Sequence, residues 1–287
     1  MKKNRIYAWI KFLRFLISKR DHLYQEFQKE EQLLDLLQKE NVKTAFQPIL
    51  SLEEGSTVGF EILNRPEQTD FFPTTDVFYD YVGQSGNVFI TECFLRNLSL
   101  ERFSEKKQNY KMEIQPLVFL NIQPQALTDP SYQSGITLEL LVKHNLSPNQ
   151  VVLELTERES VANYVQFEKI IDHYRKQGFR IAVDDAGTGY NSLQTLIYLK
   201  PEFIKLDKSL IRNVHQKLEQ QHLVELLLEF AFQSGTKIIA EGIETESELL
   251  FLKKLGVHYG QGYLLGKPKP DLLDGHMPFS TVCGKSV

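Results

Sequence analysis

Short apolar runs in this chain end again and again on a residue able to do chemistry, and few folds can accommodate that. GFEIL carries Glu61, VFLNI carries Asn121, VVLELTE carries Glu154, IAVDDAGTGY carries Asp184 and Asp185, and IIAEGIE carries Glu241. FIKLD holds Lys205 in the equivalent place. A carboxylate set against a core is costly unless it is paired, hydrogen-bonded or bound to metal. Several converging at one sheet end repel one another unless a cation neutralises them. The pattern therefore constrains fold and function together.

From residue 43 a strand–helix rhythm sets in. Candidate strands lie at 44–50, 57–63, 117–121, 151–155, 180–184, 203–206, 237–240 and 257–261. Helical patterning fills most of the gaps, most clearly over 163–177 and 210–234, with Gly178 and Gly235 placed as C-caps. Such alternation over about 240 residues argues a (β/α) barrel. The first two candidates are separated only by a short stretch around Glu53, Glu54 and Gly55. A parallel crossover needs about a dozen residues, so this pair is expected to form an antiparallel hairpin. The expected fold is α/β: a modified (β/α)8 TIM-type barrel with an antiparallel first strand, preceded by N-terminal helices. The expected division is a helical segment over 1–40, the barrel over 41–276 and a loose tail over 277–287. Active sites of parallel barrels form at the C-terminal strand ends, where these polar residues fall on six different strands.

The 287 residues are 42% hydrophobic and 24% charged, an ordinary soluble composition with room for one large core. The net charge of −4 gives no reason to expect DNA or RNA as a partner. Cys93 and Cys283 form neither a metal motif nor a disulfide framework, which suits the cytoplasm. The first 20 residues hold seven bases and no acid, with Ile6, Trp9, Ile10, Leu13 and Ile17 at helical spacing. Lys11 and Arg14 make the apolar run too short and too charged to span a bilayer. No small-residue cleavage site follows, which disfavours a signal peptide. Two readings stay open for this segment. It is a membrane-surface anchor, peripheral at the inner face, or a helix packed on the domain or on a second subunit.

Oxygen donors without thiols or histidines suit hard cations, so Mg²⁺ or Mn²⁺ is favoured over Zn²⁺. The adjacent Asp184 and Asp185 can divide a pair of ions, a recurrent device in phosphodiester hydrolysis. Lys205 could orient a water or stabilise transition-state charge; a buried ion pair is the plainer alternative. The turn Ala186, Gly187, Thr188, Gly189, Tyr190 is either an ordinary loop or one that organises the metal site or a dimer face. Glu157 is either a helix cap or a support for that loop.

Taken together, the motifs resemble the EAL-domain phosphodiesterases, which cleave cyclic di-GMP to linear pGpG. The resemblance runs from about Phe46 to Pro268. Gln47, Pro48 and Ile49 stand at the family's opening QPI, and Glu61, Ile62 and Leu63 at its signature, followed by Arg65. Asn121 stands at the asparagine ligand and Glu154 to Glu157 at ELTE. Asp184 to Tyr190 stand at the double-Asp loop, and Lys205, Leu206 and Asp207 at the lysine motif. Glu241 to Glu244 and Gln261 to Tyr263 complete the set. The resemblance implies metal ligation by Glu61, Asn121, Glu154, Asp184, Asp185 and Glu241, with two ions. It implies that Lys205 assists the nucleophilic water, with Glu61 and Glu157 also serving catalysis. It implies substrate contacts from Gln47, Leu63, Arg65, Asp207, Glu244 and Gln261, and a homodimer formed near the double-Asp loop. The chain departs from the pattern at Ile62 (for Ala), Ala186 (for Phe) and Gln123 (for Ser), and lacks the usual Trp between Pro66 and Phe72. Strand alternation turns Ile62 away from the Glu61 face. The alternative function is a weak or inactive domain that binds cyclic di-GMP or a partner protein without turnover.

Overall fold

Eight strands close into one barrel in chain order. They are β1 (Val42–Ser51), β2 (Thr57–Pro66), β3 (Leu117–Ile122), β4 (Val151–Thr156), β5 (Arg180–Ala186), β6 (Phe203–Leu206), β7 (Lys237–Ala240) and β8 (Tyr259–Gly260). The computed structural model describes residues 2–110, 115–133, 135–156, 164–187 and 192–278. β1 runs antiparallel to both β2 and β8, and every other pairing is parallel. The short connection dictates this: Gly55 turns the hairpin at φ 77°, a conformation open to glycine, and Gln47 pairs with Glu61.

Helix α1 (Lys2–Leu36) precedes the barrel, and α2 (Thr75–Gln84) and α3 (Val88–Lys107) lie between β2 and β3. The last turns of α1 dock on α2 and α3, where Leu33 and Leu36 share a buried cluster with Phe72, Phe78, Leu95 and Leu98. The helix expected over 163–177 is observed at Tyr164–Lys176, closed by Gly178 at φ 96°. The single helix expected over 210–234 is instead three pieces: Lys208–Ile211, a 3-10 turn at Val214–Gln216, and Leu218–Ser234. The break falls at Asn213, left-handed at φ 58°, whose N–H is held by Glu248 Oε1 at 2.9 Å.

The strand period of two builds the interior in storeys. Ile49, Phe119, Val152, Ala182, Phe203 and Ile239 pack together inside the barrel. Two residues further along their strands stand Asn121, Glu154, Asp184, Lys205 and Glu241, on the same inward face. On antiparallel β1 the order reverses, so Gln47 precedes Ile49. The outward residues, among them Ile62, Leu120, Leu153, Val183, Ile204 and Ile238, form the larger core with the surrounding helices. An apolar floor thus carries a polar layer at the C-terminal mouth.

Candidate active site

Lys205 is fully buried at the centre of the mouth. Its Nζ lies 2.7 Å from Glu154 Oε1, 2.7 Å from Glu241 Oε1, 3.3 Å from Asp184 Oδ1 and 3.4 Å from Glu61 Oε2. One ammonium therefore faces four carboxylates delivered by β2, β4, β5 and the end of β7. Of the two readings of Lys205, the buried ion pair is observed, and it is made with the same carboxylates that the sequence singles out as candidate ligands. Asn121 Nδ2 donates to Glu61 Oε1 at 3.3 Å, and Gln261 Nε2 donates to Glu61 Oε2 at 2.6 Å.

Adjacent strand residues normally face opposite ways. Asp185 escapes this because its φ is 55°, and the β5–β6 register slips between Val183 and Ala186. This bulge brings carboxylate oxygens of Asp184, Asp185 and Glu241 within 4.8 Å of one another. A non-glycine residue held left-handed costs about 1–2 kcal/mol, a strain often found where function requires it.

The electrostatics are those of a site short of positive charge. Burial, opposed by Lys205 and reinforced by Glu61 and Asp184, pushes the Glu154 carboxyl well above the usual carboxylate range. Burial likewise pushes Glu241 up to about 8, with Asp184 and Glu61 adding to it against Lys205. For Lys205, burial favours the neutral amine, but Asp184, Glu154, Glu241 and Glu61 together outweigh it and hold the ammonium. Glu154 is completely buried, and its Oε2 has no hydrogen-bond partner among the described residues. Carboxylate and amide oxygens, an orphaned buried acceptor and excess negative charge together fit divalent cations of the Mg²⁺ or Mn²⁺ class.

A cleft of about 1080 Å³ opens beside this cluster, lined by Leu63, Arg65, Asn121 and Asp185. Its far wall comes from α2 and α3, with Tyr79, Asp80, Glu92 and Arg96. Sequence reasoning missed this wall. The Glu92–Arg96 spacing of four was visible, but nothing in the periodicity marks the pair as buried, with Arg96 also bonded to Thr137 Oγ1 at 2.5 Å. The other expected substrate residues are engaged elsewhere. Gln47 Nε2 donates to the Gly266 carbonyl at 3.1 Å. Asp207 is buried and caps the next helix through Ser209 N–H at 2.9 Å. Glu244 is exposed in a two-bond pair with Arg212. Glu157, with residues 188–190 of the glycine-rich turn, lies outside the described residues. Ile62 and Ala186, where the chain departs from the expected pattern, are both buried in the outer core.

The sequence profile described as the EAL domain matches residues 30–268. The chain belongs to the EAL-domain family. The probable cyclic di-GMP phosphodiesterase PdeB of Escherichia coli K12 is 34% identical over 245 residues, covering 84% of this chain and 46% of PdeB. The chain thus spans about half the length of that relative, and less of several others. The EAL enzyme Bd1971, solved with cAMP and cyclic di-GMP, superposes with a TM-score of 0.76 at 26% identity, over 89% of this chain and 69% of Bd1971. The manganese and cyclic di-GMP complex of Klebsiella pneumoniae BlrP1 shares the fold, with a TM-score of 0.71 at 23% identity over 82% of this chain and 58% of BlrP1. The barrel with its antiparallel first strand is therefore the EAL fold.

Proposed function

We propose that this EAL domain hydrolyses one phosphodiester of cyclic di-GMP to give linear pGpG. The observation that carries the reading is the convergence of four carboxylates on Lys205 Nζ, all within 3.4 Å. Names of relatives add support, since PdeB is a probable cyclic di-GMP phosphodiesterase and Bd1971 was solved with that nucleotide. Glu61, Asn121, Glu154, Asp184, Asp185 and Glu241 would hold two Mg²⁺ or Mn²⁺ ions, which when bound supply a water of lowered pKa and neutralise phosphate charge.

The chain's own side chains do the rest. The four carboxylates favour the ammonium form of Lys205 in the metal-free cluster, and Lys205 would act as a hydrogen-bond donor to the attacking water or the phosphate. Asn121 and Gln261 hold both oxygens of Glu61 and fix its orientation. Arg65, at the exposed rim of the cleft, is placed to meet a phosphate oxygen or a guanine. Leu63 supplies apolar contact. Gln47, Asp207 and Glu244 would reach substrate only by exchanging their present bonds, and Glu157 is proposed to support the loop after Asp185. The domain would work in the cytoplasm as a homodimer across the face beyond β5, where Ile197 is exposed.

Ile62 and Ala186 sit in the outer core, and Gln123 lies at the cleft wall, where its Nε2 donates to the Tyr79 carbonyl; none of the three replaces a proposed ligand, which favours turnover over binding alone. The test is product analysis with purified protein, cyclic di-GMP and Mg²⁺ or Mn²⁺, beside Glu61→Ala and Lys205→Ala. Formation of pGpG that both substitutions abolish supports the reading. Binding without product in either metal would make the domain a receptor.

A further inference from the structure

The exposed half of α1 is unlike the rest of the surface. From Lys29 onward the helix touches the domain: Lys29 lies over the Tyr81 ring, Asn87 donates to Glu30, and Leu33 and Leu36 are buried. Between residues 9 and 25 every described side chain except the half-buried Leu16 is exposed. That stretch is about 25 Å of helix. Trp9 is 62% exposed and Ile17 72%, with Phe12, Leu13 and Phe15 between them. The reading of this segment as a helix packed on its own domain is therefore excluded for residues 9–25.

The width of the apolar surface decides what covers it. At about 100° per residue, the seven apolar residues from Trp9 to Ile17 spread over about 220° of the helix, leaving Lys11, Arg14 and Ser18 on a strip of about 60°. A two-helix seam buries only a narrow stripe at alternating spacings of three and four. Pairing through Trp9, Leu13 and Leu16 would leave Ile10, Phe12, Phe15 and Ile17 in water. It would also bring together two segments that each carry seven bases and no acid in their first 20 residues. A bilayer interface takes the whole arc and offers opposite charge. All 37 Asp and Glu of the chain lie beyond residue 20, so the helix, and not the barrel, is the part suited to an anionic surface. Among the described residues no helix is long and apolar enough to cross a membrane.

We infer that residues 9–20 of α1 lie in the plane of an anionic phospholipid surface, with Trp9, Phe12, Leu13 and Leu16 in the acyl boundary and Lys11 and Arg14 at the headgroups. The inference does not depend on the reaction proposed above. Trp9 is the chain's single tryptophan, so its emission reports on this helix alone. The experiment adds vesicles of phosphatidylcholine mixed with phosphatidylglycerol to the full chain, without nucleotide. Emission moves to the blue, and Leu13→Glu lowers the bound fraction by about tenfold or more. Lys11→Glu with Arg14→Glu abolishes the preference over pure phosphatidylcholine. Both variants lie beyond the docked turns, so barrel melting stays at the wild-type temperature and guards against misfolding. The inference is overturned if mixed vesicles leave the emission unmoved, or if Leu13→Glu binds as well as wild type. It is equally overturned if emission is blue before vesicles are added and reddens on dilution, which would make a second copy the occupant.

Discussion

Replacing Lys205 by Met keeps the length of the side chain and removes its charge. In the metal-free protein that ammonium is the cation among Glu61, Glu154, Asp184 and Glu241, and it is wholly buried. Removing one partner from a buried charge cluster costs about 3–5 kcal/mol, because the remaining charges lose their compensation. For a domain of this size each kcal/mol moves the melting temperature by about 2–4 °C, so the metal-free variant should melt about 6–20 °C below wild type. The same substitution takes away the competitor for the carboxylates. Saturating Mn²⁺ should therefore raise the melting temperature of Lys205→Met more than that of wild type, as stabilisation grows with affinity for the folded state. Calorimetry of both proteins, with chelator and with Mn²⁺, measures the two differences. A metal-free variant that melts within about 2 °C of wild type, or an equal gain from Mn²⁺ in both, would refute the idea that this cluster lacks positive charge.

Ile62→Ala, which restores the family's signature residue, should cost about 2–4 kcal/mol of stability and leave turnover per folded molecule unchanged, because Ile62 packs in the outer core; a large change in kcat would place it in the site. Asp185→Gly should melt at or above wild type, since the left-handed strain of about 1 kcal/mol is relieved, while hydrolysis falls at least about a hundredfold if Asp185 is the metal ligand proposed above. Glu248→Gln should lose about 1.5–3 kcal/mol at neutral pH by urea titration. Burial raises that carboxyl, but backbone N–H bonds from Asn213, Glu244 and Thr245 together outweigh it and hold it below its usual value. A carboxyl depressed in the folded state stabilises above its unfolded pKa and ceases to as pH falls through the folded one. The gap between Glu248→Gln and wild type should therefore close below the ordinary carboxylate range; a gap that persists there would argue for lost packing instead.

The strands were legible because each is a short apolar run bounded by polar residues, and β6 and β7 fall where the sequence places them. The hairpin followed from connection length alone. The break at Asn213 was not legible, since apolar periodicity continues through it and the group that captures its N–H, Glu248, is 35 residues away. Nor does sequence show that Gln261 is spent on Glu61, 200 residues distant, or that α2 and α3 wall the cleft. The convergence on Lys205 was readable as a set of strand ends, whereas the bulge that turns Asp185 alongside Asp184 emerges only in the backbone.

The alternation of floor and mouth along each strand makes the site far more sensitive to chain length than to residue type. Deleting one residue early in β4 would rotate Glu154 out toward the helices and turn Leu155 into the mouth, exchanging an acid for a hydrocarbon in one event. Substitutions in the same strand alter one contact at a time. A change of length is thus tolerable only in the connections, and the spacing from Val152 to Glu154, Ala182 to Asp184 and Phe203 to Lys205 acts as a reading frame for the chemistry.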